Sequence, residues 1–389
     1  MNFLQLGFKG KNEWWKYALM VIILVIGTVI GQIPIAFAAL SAVGGDLDKF
    51  QKSGESNFAD AGIDSNLYLF LMLLGFIVAF ALFFVALKGM HKKKLKWVIT
   101  SRETVDWKRI FFGVIVWGII VVASMSLDLV INPESYQWNF QPTQFFILCI
   151  VAITCIPLQT TLEEVLFRGY YMQGLAVSAT KRGFPALVIS ILLFLGLYLF
   201  AHLNLELSGD QKLLWIFGSM ILIIVFHFGN IFKKFSESTT GSALYRGFRR
   251  NFVPMLITSM IFGLLHGANP EIEKLGYGLL FFYVASGFFF GIVTLLDDGA
   301  EIAIGMHAIN NIIAALFITA NWTVFQTDAL YIDTSEPTIN FEMFLPVFIL
   351  YPLAIFIFSK KYKWKNWNEK LFGQITDPYA QDSIDELGA

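Results

Sequence analysis

About ten stretches of roughly 20 predominantly apolar residues divide this 389-residue chain. They lie near 17–40, 67–88, 110–131, 145–173, 185–203, 213–232, 253–268, 277–296, 302–320 and 343–359. A helix needs about 20 such residues to cross the hydrocarbon core of a bilayer. The expected fold is therefore all-α: a polytopic membrane helix bundle of about ten transmembrane helices. The seventh run is short, and the fourth carries charges in its second half.

Loop charges set the orientation, because basic residues are retained on the cytoplasmic side. Lys92, Lys93, Lys94, Lys96, Arg102, Lys108 and Arg109 lie between runs two and three. Lys181 and Arg182 follow run four; Lys233, Lys234, Arg246, Arg249 and Arg250 follow run six; Lys360, Lys361, Lys363 and Lys365 follow run ten. Acidic residues fill alternate loops: Asp46, Asp48, Glu55, Asp60 and Asp64, then Asp328, Asp333 and Glu336. The alternation puts both termini in the cytoplasm. Asp297, Asp298 and Glu301 break the pattern, on the cytoplasmic side without a basic residue, although acids weigh little in this rule.

Composition agrees with a membrane chain. Hydrophobic residues make up 56% and charged residues 15%, against about 25% charged in an average soluble domain. A net charge of −1 argues against nucleic acid as a partner, which calls for a basic face. The first run is too long for a secretory signal peptide and is read as a retained span. Cys149 and Cys155 sit six apart on one helix and turn away from each other, so no disulfide joins them. Walker, C-x-x-C, H-E-x-x-H and lipidation motifs are absent. Residues 361–389 form a polar C-terminal tail, with Trp364 and Trp367 as an interfacial anchor.

Ionisable groups inside a span are costly and usually functional. Run four contains Glu163, Glu164 and Arg168 in TLEEVLFRGYY. Glu164 and Arg168 are four apart with the acid first, the favoured ion-pair order. Glu163 points about 100° away around the helix and lacks that partner. An unpaired carboxylate in apolar surroundings is suited to acid or base work. The plain alternative is a helix end among lipid headgroups, with all three charges solvated. In run nine His307 and Asn311 share a helical face, an imidazole and an amide suited to holding an oxyanion. The alternative there is a polar contact between helices. In run seven Phe262 and His266 are also four apart, so the ring can pack on the imidazole. His202 lies at an outer span end and His227 is unaccompanied by acids, and both are read as structural.

These three pairs, in this order, form a recognisable set: E-E-x-x-x-R at Glu163, Glu164 and Arg168, F-x-x-x-H at Phe262 and His266, and H-x-x-x-N at His307 and Asn311. The chain resembles the CPBP intramembrane protease family, which includes the type II CAAX prenyl endopeptidases and bacterial bacteriocin-processing and immunity proteins. The runs F-R-G at 167–169 and IFGLLHGANPE resemble the bacterial members. The resemblance covers about 145–320. It implies a glutamate-dependent endopeptidase with a core of about eight helices, located in the plasma (inner) membrane of a bacterium. By motif position Glu163 is the general base, assisted by His266. His307 and Asn311 form the oxyanion site, and Glu164 and Arg168 hold the local geometry. One departure is the distance from the first motif to the second. Residues 184–251 are read as an inserted two-helix hairpin, flanked by KRGFPALVIS and RRNFVPMLITS, within a membrane-embedded protease domain spanning 1–360. His202 stands near the family's usual spacing, but Tyr198 precedes it instead of Phe and no G-x-N-P-E follows, so His266 is preferred.

The expected activity is hydrolysis of a peptide bond in or near the membrane. The partners are a peptide or membrane-protein substrate and the lipid bilayer, and no cofactor is expected. A zinc-dependent metalloprotease is an alternative, with Glu163, His266 and His307 as ligands and one open position. Two further alternatives are non-catalytic: a membrane immunity or scaffold protein, and a proton-coupled transporter.

Overall fold

In hydrocarbon, backbone N–H and C=O groups find no water, so an apolar run coils to satisfy them internally. The computed structural model describes residues 1–56, 58–192, 237–339 and 341–380, with single positions 211, 218, 234 and 235. Within them, eight of the apolar runs are helical: α1 (Trp14–Ala42), α2 (Ser65–Gly89), α3 (Trp107–Ile131), α4 (Pro142–Glu164), α5 (Phe252–Leu265), α6 (Leu280–Asp297), α7 (Glu301–Leu316) and α8 (Tyr351–Tyr362). The fifth run begins as a helix at 184–192. Its remainder, with His202, lies outside the described residues, as does His227 in the sixth. The chain is an all-α membrane helix bundle, and among the described residues five helical stretches are long and apolar enough to cross a bilayer.

Helix starts follow local chemistry. Asp64 accepts the Leu67 N–H at 3.0 Å and caps α2. Asp106 accepts the Lys108 N–H at 3.0 Å and caps α3. Pro142 opens α4 at a position where its missing N–H costs nothing. α4 does not end at the carboxylates. It passes through a π-helical turn, Val165–Tyr171, into the helix Met172–Ala179. The three charges of run four are therefore enclosed by helix on both sides, not placed at a solvated end.

α1 packs on α2, α2 on α4, α4 on α7 and α7 on α3, while α5 pairs with α6 beside them. Two glycines bring α3 and α7 close together. A Cβ on Gly305 would stand 2.1 Å from the Ile110 carbonyl oxygen, and one on Gly113 would stand 2.7 Å from that of Ile302. Small residues of this kind let membrane helices approach backbone to backbone.

One end of the bundle gathers the basic loops and both terminal segments. Gln5 Nε2 donates to Thr376 Oγ1 at 3.1 Å, and Lys93 Nζ donates to the Gly7 carbonyl at 2.8 Å. The acidic residues that broke the charge pattern lie here and are paired. Asp297 is bridged by Arg102 at 3.0 Å and by Arg109, Glu301 by Arg102 at 3.0 Å, and Asp298 by Lys370 at 2.7 Å. Trp364 is not simply an interfacial anchor, since its Nε1 donates to Asp297 at 2.8 Å. The described part of the polar stretch after α8 is docked. The Ile375 N–H bonds the Arg249 carbonyl at 2.7 Å and the Asn251 N–H bonds that of Gly373 at 3.0 Å. Cys149 and Cys155 are free thiols, as their spacing implied. The opposite end carries a miniature sheet, β1 (Tyr136–Trp138), β2 (Ile318–Thr319) and β3 (Tyr331–Asp333), in the order β1-β3-β2. Strands of two or three residues between long apolar runs leave no periodic signal in the sequence.

Candidate active site

α5 has 14 residues, about 21 Å of helix, short of the roughly 30 Å hydrocarbon core. It ends at Leu265 and continues as a single 3-10 turn, His266–Ala268, before Asn269 and Pro270. The second-motif histidine thus stands where a helix stops inside the bundle. Irregular backbone at that depth is tolerated only against protein or a water-lined cavity.

α4 supplies the carboxylates. Glu164 is fully buried and Arg168 is 1% exposed. Their i, i+4 ion pair has Arg168 Nε 3.3 Å from Glu164 Oε2. The guanidinium lies over the ring of Phe262, 4.1 Å from its centroid, and donates to the Gly287 carbonyl at 3.3 Å. The arginine therefore ties α4 to α5 and α6. The π turn follows directly after the acids, a local widening common at functional sites. Gly169 within it passes so close to Val98 that a Cβ would meet the Val98 carbonyl oxygen at 2.0 Å. This explains the glycine of the F-R-G run.

α7 supplies His307 and Asn311. His307 Nδ1 donates to Glu164 Oε1 at 2.8 Å. A buried carboxylate on one ring nitrogen fixes the tautomer and aims the other. That other nitrogen, Nε2, stands 3.5 Å from Asn311 Nδ2 and 3.7 Å from Glu163 Oε2. The His307 ring stacks on Phe290 at 5.2 Å. Asn310 Nδ2 donates to Asn311 Oδ1 at 3.2 Å, and Trp117 Nε1 to Asn310 Oδ1 at 3.2 Å, a chain that orients the Asn311 amide.

His266 is clamped on two sides. Its ring centroid is 4.7 Å from that of Phe262 and 4.3 Å from that of Tyr283, the latter nearly parallel at 22°. Nδ1 donates to the Phe262 carbonyl at 2.8 Å, leaving Nε2 with its lone pair. The imidazole lies within electrostatic reach of Glu163, His307 and Arg168.

The structure thus brings Glu163, Glu164, Arg168, His307 and Asn311 into one contacting cluster, with His266 joined to it through Phe262 and the field of Glu163. Sequence reasoning passed over several members. Gln159 donates Nε2 to Glu163 Oε1 at 2.6 Å, and its position four residues before Glu163 on the same helix was the available signal. Tyr283, Phe290 and Trp117 are aromatic residues in apolar runs and give no such signal. Glu271, just after the His266 turn, accepts the Val324 N–H at 2.8 Å. Burial pushes its carboxyl above the usual range, and that hydrogen bond opposes the shift.

Comparison with known proteins points the same way. Residues 239–313 match the Rce1-like family of type II CAAX prenyl endopeptidases. The matched stretch contains His266, His307 and Asn311, and not His202; the E-E-x-x-x-R motif lies before it. The resemblance to the CPBP proteases holds in this region, and the activity class it supports is that of a peptidase. The chain is also 24% identical to the uncharacterized protein YyaK of Bacillus subtilis (strain 168) over 321 residues, 82% of each chain. No solved structure matches.

Proposed function

We propose that this protein is a glutamate-dependent intramembrane endopeptidase that hydrolyses a peptide bond in or near the bilayer. The observation that carries the reading is the position of His307, set on Glu164 at 2.8 Å with Nε2 turned toward Glu163 and Asn311. This arrangement joins a half-buried base to donors for a developing oxyanion.

Glu163, with His266 beside it, takes a proton from water as the water oxygen bonds to the substrate carbonyl carbon. The carbonyl electron pair moves onto oxygen, which accepts hydrogen bonds at the site formed by Asn311 Nδ2 and the His307 ring held by Glu164. Collapse of the tetrahedral intermediate breaks the C–N bond, and the leaving nitrogen takes the proton from Glu163. The products are a carboxylic acid and an amine, the acid ionises by giving up its proton to the amine, and Glu163 returns to its starting form.

The chemistry proposed is metal-free. Both ring nitrogens of His307 already face partners, and among the described residues no three His, Cys, Asp or Glu side chains are arranged to hold an ion. A zinc set of Glu163, His266 and His307 would have to draw His307 away from these partners.

We further propose that residues 1–360 are one membrane-embedded unit in a bacterial plasma membrane, with both termini cytoplasmic. The meeting of both terminal segments with the basic 88–109 loop supports this. Cleavage of a membrane-anchored peptide by purified protein tests the reading. His266→Ala and His307→Ala should each lower kcat at least about 100-fold, and chelator should have no effect. Loss of activity in chelator, restored by zinc, would favour the metalloprotease instead.

A further inference from the structure

Gln159 spends one end of its amide on the base and leaves the other end open. Its side chain is 7% exposed. Nε2 donates to Glu163 Oε1 at 2.6 Å, while Gln159 Oε1 has no hydrogen-bond partner among the described residues. Glu163 Oε2 is in the same position: buried, unbonded and 3.7 Å from His307 Nε2. Because Nε2 and Oε1 of the amide share one carbon, as do the two carboxylate oxygens, the two open acceptors belong to groups already hydrogen-bonded to each other. Two buried acceptors without a donor are costly. Neither group can turn to relieve the other, since a second acceptor is useless to an acceptor. A single water, with two O–H donors, can serve both acceptors.

We propose that Gln159 is a water-positioning residue. Its Oε1 accepts one proton of the water whose other proton faces Glu163 Oε2, while its Nε2 fixes the carboxylate in the receiving orientation. A water needs two to four polar partners to be held in a protein interior, and Gln159 Oε1 and Glu163 Oε2 supply two. This assignment rests on Glu163 being the base. It adds to the three motifs a residue one helical turn ahead of the first, and it gives the water a defined attack position. The charged and titratable groups around Glu163 are Glu164 and Arg168 from its own helical run, His307 from α7 and His266 from the end of α5.

The test compares wild type with Gln159→Leu, Gln159→Glu and Glu163→Gln in peptide cleavage, with kcat and KM measured separately across pH. Gln159→Leu keeps volume and loses both polar ends, so kcat should fall at least about 10-fold with little change in KM. Gln159→Glu keeps the acceptor, and it keeps the donor only when one proton is shared between the two carboxyls. Its activity should recover toward acidic pH, a profile that a packing role would not give. A Gln159→Leu enzyme with unchanged kcat overturns the assignment, whereas full activity in Glu163→Gln overturns the underlying reading. A readout independent of activity is a crystal structure that resolves ordered water. It should show one water within about 3 Å of both Gln159 Oε1 and Glu163 Oε2, absent from Gln159→Leu. A dry site in the wild type overturns the proposal even if the enzyme is inactive.

Discussion

Glu164 Oε1 stands 2.8 Å from His307 Nδ1 and joins the first and third motifs across 143 residues of chain. The same carboxyl faces Arg168 through its other oxygen. One buried acid therefore neutralises the arginine that binds α5 and α6, and orients the imidazole carried by α7. Its two duties can be separated by experiment.

Glu164→Gln leaves the Arg168 guanidinium buried without its counter-charge, and breaking a buried pair from one side costs about 3–5 kcal/mol. Thermal unfolding in detergent should show that loss. The double variant Glu164→Gln with Arg168→Met removes both charges and should recover much of the stability. Cleavage should stay impaired, because His307 still lacks its carboxylate. A double variant that is both stable and fully active would show that the Glu164–His307 contact is dispensable.

Gly305 sets how closely α7 lies against α3. In Gly305→Ala the new methyl meets the Ile110 carbonyl oxygen at 2.1 Å, so α7 has to move and His307 moves with it. Overpacking of this kind costs about 1–3 kcal/mol, and a displacement of about 1 Å can cost about 100-fold in rate. The expected outcome is a modest fall in thermal stability with a disproportionate fall in kcat. An equal and small effect on both would mean that α7 is not held by this contact.

The N-terminal segment is docked through His91, which follows α2 and links Lys11 to Tyr170 of the π turn. Nδ1 donates to the Lys11 carbonyl at 2.8 Å, and Tyr170 OH donates to Nε2 at 2.7 Å, so the ring is held neutral. Burial pushes its pKa down to about 4, below the unfolded value of about 6.5. A group whose folded pKa is depressed in this sense binds fewer protons folded than unfolded below pH 6.5. Stability is then lost as pH falls from about 6.5 toward 4. Hydrogen exchange of residues 4–12 should quicken over that range in wild type. In His91→Gln, which cannot be protonated, the exchange should be flat across it; a wild-type profile that is also flat would contradict the linkage.

Much of the fold was legible because the bilayer reduces it to runs of apolar residues, and eight of those runs are the helices α1 to α8. The i, i+4 pairs were legible for a related reason: Glu164 with Arg168 and Phe262 with His266 depend only on helical spacing, and both contacts exist. The bond from Glu164 to His307 was not legible. It depends on how α4 and α7 cross, which is set by packing between residues distant in sequence. The acidic cluster at Asp297 looked like an exception to the charge rule for the same reason, since Arg102 and Arg109 come from a loop far away in the chain. Gln159 was within reach of the helical argument, but a neutral amide in an apolar run raises no charge signal.

The central claim is that Glu163 makes the protein a hydrolase. The most direct measurement maps newly formed peptide termini by mass spectrometry in membranes carrying either the wild-type protein or Glu163→Gln, with H₂¹⁸O in the medium. The account predicts at least one precursor that is cut only by the wild type, with ¹⁸O in its new carboxyl terminus, and that accumulates uncut beside Glu163→Gln. Identical termini in the two membranes would contradict it.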